Sequence, residues 1–289
     1  MKKVVSFSGG RTSAYLVITA IEKFGIENVD VVSMDTGAEH PMTYEFMRQF
    51  HAYILENYGV EITYLRTDFN TPLGEGNKYH ILKIDEIGPD LKPFREMIKK
   101  YGVPYIGGMF CTDRMKLVPF TKYCQDKYGK KNYETWLGIR ADEPNRLNPK
   151  SGIRYLAEIS DFEKQDILEF WSKMPFNLQI PEQLGNCVFC PKKSNLKLAA
   201  AQRDEPELYH EFLTMIYGES VRHDNKTGHH SQMYRGKKSL EQVVAMFDGS
   251  TGDEIKSRIR GTKATNTGSC SESCEVFVCE ANQVDMFDE

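Results

Sequence analysis

The feature that most constrains this chain lies at its start, where Lys3–Phe7 runs into Ser8-Gly9-Gly10 and apolar residues then recur at Leu16, Val17, Ala20, Ile21 and Phe24. A β-branched and aromatic run favours a strand, paired glycines permit a tight turn, and the helical spacing marks one buried helix face. Gly25 closes that helix, Val29–Met34 forms a second apolar run, and Asp35-Thr36-Gly37 punctuates it. A second helix is expected from about Met42 to Tyr58, and Val60–Leu65 reads as a third strand. Strands alternating with helices of this length need right-handed crossovers, which produce a parallel sheet covered on both faces. The sequence therefore predicts an α/β fold with a Rossmann-like parallel sheet.

From Asp68 to Gly108 the pattern loosens. Pro72, Gly74, Gly76, Gly88, Pro89 and Pro93 surround one short charged helix near Phe94–Tyr101, which reads as a mobile insertion over the sheet's edge. Leu117–Tyr128 predicts a further helix, and the alternation of Tyr133, Thr135, Leu137 and Ile139 predicts a strand with Gly138-Ile139-Arg140 at its carboxyl end. Beyond about Asp161 no clear strand appears, while 162–171, 196–202, 207–217 and 240–247 have helical character. Two parts are expected: residues 1–160 carrying the sheet, with the insertion at about 68–108, and a mainly helical, cysteine-bearing part over 161–289. A chain of 289 residues has room for both, since domains commonly run to about 100–200 residues.

Composition narrows the classes. Hydrophobic residues make up 40% and charged residues 27%, as in ordinary folded proteins. A net charge of −4 gives no global attraction to nucleic acid, so such binding would need a local basic face. No apolar run approaches the roughly 20 residues that cross a bilayer, and the first residues lack a signal peptide's apolar core. A cytoplasmic location with no membrane partner is the expectation. Seven cysteines without an export signal favour thiolate or metal chemistry over a disulfide framework.

Ser8-Gly9-Gly10-Arg11-Thr12-Ser13, with Ser6 just before it, sits between strand and helix. There glycines let the backbone approach an anion and the helix start presents free amides. It lacks the Gly-Lys-Ser/Thr ending of a Walker loop and the spacing of a dinucleotide fingerprint. A plain serine-capped turn is the bland alternative, but this is the first βα turn, where open α/β sheets bind ligands.

These residues resemble a family. Ser8-Gly9-Gly10-x-x-Ser13 is similar to the loop of the ATP pyrophosphatases, and Asp35-Thr36-Gly37-x-Glu39-x-Pro41-x-Thr43 is similar to the second motif of the phosphoadenosine phosphosulfate (PAPS) reductase family. Cys111-Thr112-x-Arg114-x-Lys116-x-x-Pro119 and Gly138-Ile139-Arg140, followed by Asp142-Glu143 and Arg146, match in the family's order over about the first 150 residues. The resemblance implies a Rossmann-like fold of the HUP type that binds an adenine nucleotide, ATP or PAPS. Asp35, Thr36 and Gly37 would contact adenine or ribose. Arg114 and Lys116, with Arg140 and Arg146 as further candidates, would supply cations for pyrophosphate, sulfate or a nucleic-acid backbone. Pyrophosphatases of this group that adenylate substrates usually carry aspartate before the final loop serine, where this chain has Thr12. A carboxylate there would suit Mg²⁺, so the departure bears on ATP cleavage more than on nucleotide binding.

Cys187-Val188-Phe189-Cys190 places two thiolates in a turn able to grip one metal centre. Cys111, within the cationic motif, is a third candidate ligand, and the fourth is sought in the tail among Cys270, Cys274 and Cys279. Ligand softness and the family resemblance favour a 4Fe–4S cluster on Cys111, Cys187, Cys190 and Cys270 over zinc. Cys124 reads as a core residue and His229-His230 as a polar loop.

Three functions compete. In the first, ATP-dependent sulfur transfer, ATP adenylates an oxygen of tRNA or DNA, pyrophosphate leaves, and sulfur carried on the cluster or a cysteine replaces the activated oxygen. Arg114 and Lys116 act on pyrophosphate, Cys274 serves as catalytic relay, and a cysteine desulfurase is the implied partner. In the second, a thiolate attacks the sulfur of PAPS or a related sulfonucleotide and a thioredoxin-like partner resolves the product. The tail lacks the Glu-Cys-Gly-Leu-His ending of those reductases, although Ser273-Cys274-Glu275 is a divergent counterpart. In the third, the chain is a non-catalytic, metal-stabilised nucleotide-binding module. A homo-oligomer is expected in each case.

Overall fold

Alternation along the strands sends neighbouring side chains to opposite faces, and two separate apolar layers form on them. The computed structural model describes residues 1–223 and 228–261. Its strands are β1 (Lys2–Ser6), β2 (Val29–Met34), β3 (Ile62–Asp68), β4 (Lys78–Leu82), β5 (Tyr133–Leu137) and β6 (Ile153–Tyr155), in the sheet order β4-β3-β2-β1-β5-β6. The β1–β2, β1–β5, β2–β3 and β5–β6 pairs are parallel, and β4 runs antiparallel to β3. The helices are α1 (Arg11–Phe24), α2 (Pro41–Tyr58), α3 (Lys92–Tyr101), α4 (Phe110–Thr112), α5 (Val118–Tyr128), α6 (Lys164–Ser172), α7 (Asn195–Asp204), α8 (Pro206–Ile216), α9 (Leu240–Ala245) and α10 (Gly252–Gly261). Among the described residues, no helix is long and apolar enough to cross a membrane.

Val5, Val31, Ile62, Tyr64 and Trp136 face α1, α2 and α6. Val4, Val32, Leu65 and Leu137 face Phe120, Tyr123 and Cys124 of α5. Trp171 of α6 is fully buried, with its ring 5.1 Å from Phe46 and 5.9 Å from Phe50 of α2. A further core joins Phe94 and Met97 of α3 to Leu198 of α7, Phe212 of α8 and Val243 of α9, with Cys111 and Cys187 packed against it. Each fully buried side chain of this size stabilises the fold by about 1.5–3 kcal/mol relative to exposure.

The α/β expectation holds, with local differences. The 68–108 stretch supplies the edge strand β4, and β6 is a second strand the pattern did not forecast. Both lie at the sheet's edges, where pairing rather than a buried face fixes them; β4 is largely exposed. Between α4 and α5 the chain passes through a π-helical turn, Asp113–Leu117, that carries Arg114 and Lys116.

Candidate active site

Strands β2 and β5 flank β1 on opposite sides, so the order reverses beside β1 and leaves a crevice at the carboxyl ends of the strands. The turn after β1 enters this crevice. Gly9 has φ +76°, and a Cβ there would lie 2.9 Å from Met47 Sδ and Thr43 Cγ2, so α2 packs directly on the turn. Gly10 caps α1 in an extended conformation without a side-chain cap. The first amides of α1 have no acceptor inside the helix and sit at the positive end of its dipole. Ser13 Oγ accepts the Ser8 amide at 3.1 Å, lies 3.0 Å from Ser8 Oγ and donates to the Gly10 carbonyl at 3.0 Å, bracing the turn from within.

The turn opens onto a cavity of about 310 Å³ lined by Ser8, Gly9, Gly10, Arg11 and Thr12 on one side and by Arg140 and Glu143 on another. A Cβ on Gly138 would meet Ser13 N and Cα at 3.1 Å, so the end of β5 can approach the loop only as glycine. Arg140, 8% exposed, donates from Nη1 to Thr12 Oγ1 at 3.3 Å and from Nε to Asp142 Oδ1 at 2.7 Å, with Glu143 Oε2 3.4 Å away. Burial opposes the Asp142 charge, but Arg140 outweighs it and holds the carboxyl below its usual value. Arg146 is buried against the same Glu143.

Arg11 turns toward the segment after α6. Its Nε donates to Asn177 Oδ1 at 2.8 Å and its Nη2 to the Leu178 carbonyl, while Trp171 Nε1 donates to the Arg11 carbonyl at 2.9 Å. This bolts residues 171–178 to the start of α1.

Asp35 is buried and engaged. Its Oδ2 accepts from Arg66 Nη2 at 2.5 Å and Nε at 2.9 Å, and its Oδ1 from the Gly37 amide and the Tyr44 hydroxyl at 3.1 Å each. Burial pushes its carboxyl above the usual range despite Arg66. Thr36 Oγ1 accepts the Ala38 amide at 3.4 Å, and Gly37 has φ +69° with Pro93 close enough to exclude a Cβ. The space beside Ser6, Ser33 and Asp35 is about 20 Å³, room for about one water.

Lys116 lines that smaller space, 3.6 Å from Glu39, which also lines the large cavity. Burial works against the Lys116 charge, but Glu39 and the thiols of Cys187, Cys111 and Cys190 raise its pKa overall. Burial pushes the Cys187 thiol up to about 12, and that of Cys111 upward as well. Cys187, Cys111 and Cys190 thus all act electrostatically on the same lysine. The 187–190 turn is closed by Lys193, whose Nζ donates to the carbonyls of Gln183 at 2.7 Å and Val188 at 3.0 Å. Arg114 faces elsewhere: it lies 5.4 Å from the Tyr101 ring centroid and pairs with Asp113 at 3.2 Å. Among the described residues no group of three or more His, Cys, Asp or Glu side chains stands ready to hold a metal ion. Cys270 and Cys274 lie outside the described residues.

Glu39, Glu143, Lys164 and Asn186 line the cavity without having been singled out as site residues. The first two lie inside the motifs quoted above, which was the available signal. Lys164 and Asn186 come from a helix start and a loop with no local signature.

Fold and loop together define an α/β protein whose glycine turn opens onto a cavity at the carboxyl edge of a mostly parallel sheet. The chain is 51% identical over 281 residues to nin region protein ORF290 of Escherichia phage lambda, covering 96% of each, and belongs to that protein's family. It is also 23% identical over 235 residues to protein MJ0066 of Methanocaldococcus jannaschii, covering 76% of this chain and 42% of that one. No family model matches. Among solved structures it is similar to PAPS reductase from Candida auris in a phosphate complex, with TM-score 0.35, 16% identity and coverage of 61% of this chain and 75% of that one. It is also similar to NH3-dependent NAD synthetase from Campylobacter jejuni, with TM-score 0.35, 14% identity and coverage of 92% and 88%.

Proposed function

We propose that the Ser8–Ser13 turn binds the phosphates of an adenine nucleotide and that the chain uses ATP to activate an oxygen of a nucleic acid for replacement by sulfur. The observation that carries this is Glu39, which lines the loop's cavity and lies 3.6 Å from Lys116, the lysine on whose charge Cys111, Cys187 and Cys190 act. In this reading Glu39 links the nucleotide's cavity to the thiols through Lys116.

In this reading the loop amides and Arg140 neutralise charge on the leaving pyrophosphate. The acceptor oxygen attacks the α-phosphorus and the bond from that phosphorus to pyrophosphate breaks; a sulfide-level nucleophile then bonds to the atom bearing the adenylated oxygen, and AMP leaves carrying that oxygen. Thr12 offers a hydroxyl where related adenylating enzymes have a carboxylate, and the carboxylates lining the cavity, Glu39 and Glu143, are paired with Lys116 and with Arg140 and Arg146. As soft donors, Cys111, Cys187 and Cys190 match in kind the ligands that a 4Fe–4S cluster or zinc takes. Those thiols, with Cys270 as fourth, would hold it, and an iron–sulfur centre would supply a site for sulfide.

Pyrophosphate release from ATP, measured with and without RNA or DNA, tests the reading. Release that rises with a nucleic acid supports it; sulfite from PAPS in its place assigns sulfonucleotide reduction, and nucleotide binding with neither product leaves a non-catalytic module. Visible absorbance of anaerobically purified protein, compared with Cys187→Ala, reports the cluster, and a colourless protein containing zinc removes it.

A further inference from the structure

The cavity has two unlike walls. Besides the phosphate-receptive turn and Arg140, the lining carries Ile167, Leu168, Leu178, Ile180 and Pro181, a stretch of hydrocarbon with Lys164 at its edge. Ile167 and Leu178 are nearly buried in the sheet's core and form a fixed floor, whereas Leu168 and Ile180 are half-buried and keep apolar surface open inside the concavity. Such surface is costly to leave in water and marks the part of a site that takes an uncharged group.

The wall is held in place from both ends. Arg11 fastens Asn177 and the Leu178 carbonyl to the start of α1, and the Val188 amide donates to the Ala38 carbonyl at 3.2 Å on the far side of the segment. A residue of the phosphate loop thus sets the spacing between polar and apolar walls. The neighbouring space by Asp35, about 20 Å³, is too small for a ring, and the Asp35 carboxylate is already engaged by Arg66, Tyr44 and Gly37.

We infer that the 178–181 wall, with Leu168, is a subsite for the flat uncharged ring of a nucleobase, and that Arg11 is the positioning residue that sets its distance from the phosphate loop. The inference rests on the phosphate reading above. The ring has two available sources, the bound nucleotide's own base or a base of the nucleic-acid acceptor, and both meet the same hydrocarbon.

The test is calorimetric titration of wild type, Leu168→Asn and Ile180→Asn with inorganic pyrophosphate and with ATP. It is paired with fluorescence binding of a labelled single-stranded oligoribonucleotide of mixed sequence in the presence of an ATP analogue. Thermal melting confirms that each variant is folded; both positions are half-buried. The expected result is unchanged pyrophosphate affinity and a loss of about tenfold or more for the ring-bearing ligand, about 1.4 kcal/mol. A loss for ATP assigns the wall to the nucleotide's own base, and a loss for the oligonucleotide alone assigns it to the acceptor. Equal losses for pyrophosphate and ATP, or no loss for any ligand that wild type binds, overturn the inference. Wild type that binds neither pyrophosphate nor ATP removes the phosphate reading beneath it. For Arg11, the ratio of ATP to pyrophosphate affinity should fall in Arg11→Ala and be partly kept in Arg11→Lys; equal losses for pyrophosphate and ATP would assign Arg11 to the phosphates alone.

Discussion

Gly138 at the end of β5 lies against Ser13 of the phosphate turn so closely that a methyl group at 138 would sit 3.1 Å from the Ser13 nitrogen and α-carbon. Both neighbours are backbone, so the helix start itself must give way. Gly138→Ala is expected to destabilise the protein by about 1–3 kcal/mol and to weaken nucleotide binding further than that loss explains. Urea melts and ATP titration of the same sample check this. A variant that binds ATP as wild type does would show that the turn tolerates displacement.

Gly9 differs from Gly138 because it is confined twice, by φ +76° and by Met47 and Thr43, each of which would lie 2.9 Å from a methyl group at this position. Gly9→Ala should cost about 1–2 kcal/mol from the left-handed backbone alone. The triple variant Gly9→Ala/Thr43→Ser/Met47→Ala, which frees the space, should therefore fail to restore the ATP affinity of Thr43→Ser/Met47→Ala. Full restoration in calorimetry would assign the glycine to packing only.

The Asp35–Arg66 pair anchors the turn after β2. Removing Arg66 leaves a buried carboxylate uncompensated, and Arg66→Ala is expected to cost about 3–5 kcal/mol, whereas Asp35→Asn with Arg66→Met should recover part of it. A double-mutant cycle by chemical denaturation measures the coupling.

Asp30 ties β2 to its neighbours through Lys2 at 2.9 Å, Lys127 at 2.9 Å and the Tyr128 hydroxyl. Burial works against its charge, but these donors prevail and its pKa is lowered from 3.8. A carboxylate with a depressed folded-state pKa contributes stability that is present above the unfolded value and lost as pH falls through the folded one. Asp30→Asn should thus be destabilised at neutral pH by about 1–2 kcal/mol, with the gap to wild type closing as pH falls below about 4. Denaturation midpoints from neutral pH down to about pH 3 follow it; a gap that does not narrow toward the acid end contradicts the assignment.

Much of this architecture was legible in the residues. Lys3–Phe7, Val29–Met34 and the spacing from Leu16 to Phe24 mark elements that bury a whole face, and burial writes a period into the sequence. Strand β4, Lys78–Leu82, buries little, so its pairing with β3 leaves almost no pattern. At the site, the glycines and Arg140 were legible because each must touch the turn. The direction of a long side chain was not: Arg11 and Arg114 both read as anion ligands, yet Arg11 grips Asn177 and Arg114 lies over Tyr101. Lys164 and the apolar wall enter the cavity from chain more than 150 residues after the turn, and only folding brings them there.

Where the phosphates land is read most directly by amide resonances. On adding inorganic pyrophosphate to isotopically labelled protein, the backbone amides of Gly9, Gly10, Arg11 and Thr12 should show the largest shifts, and ATP should move the same set. Shifts centred on another part of the molecule, or none at saturating pyrophosphate, would contradict the assignment of this turn to the nucleotide.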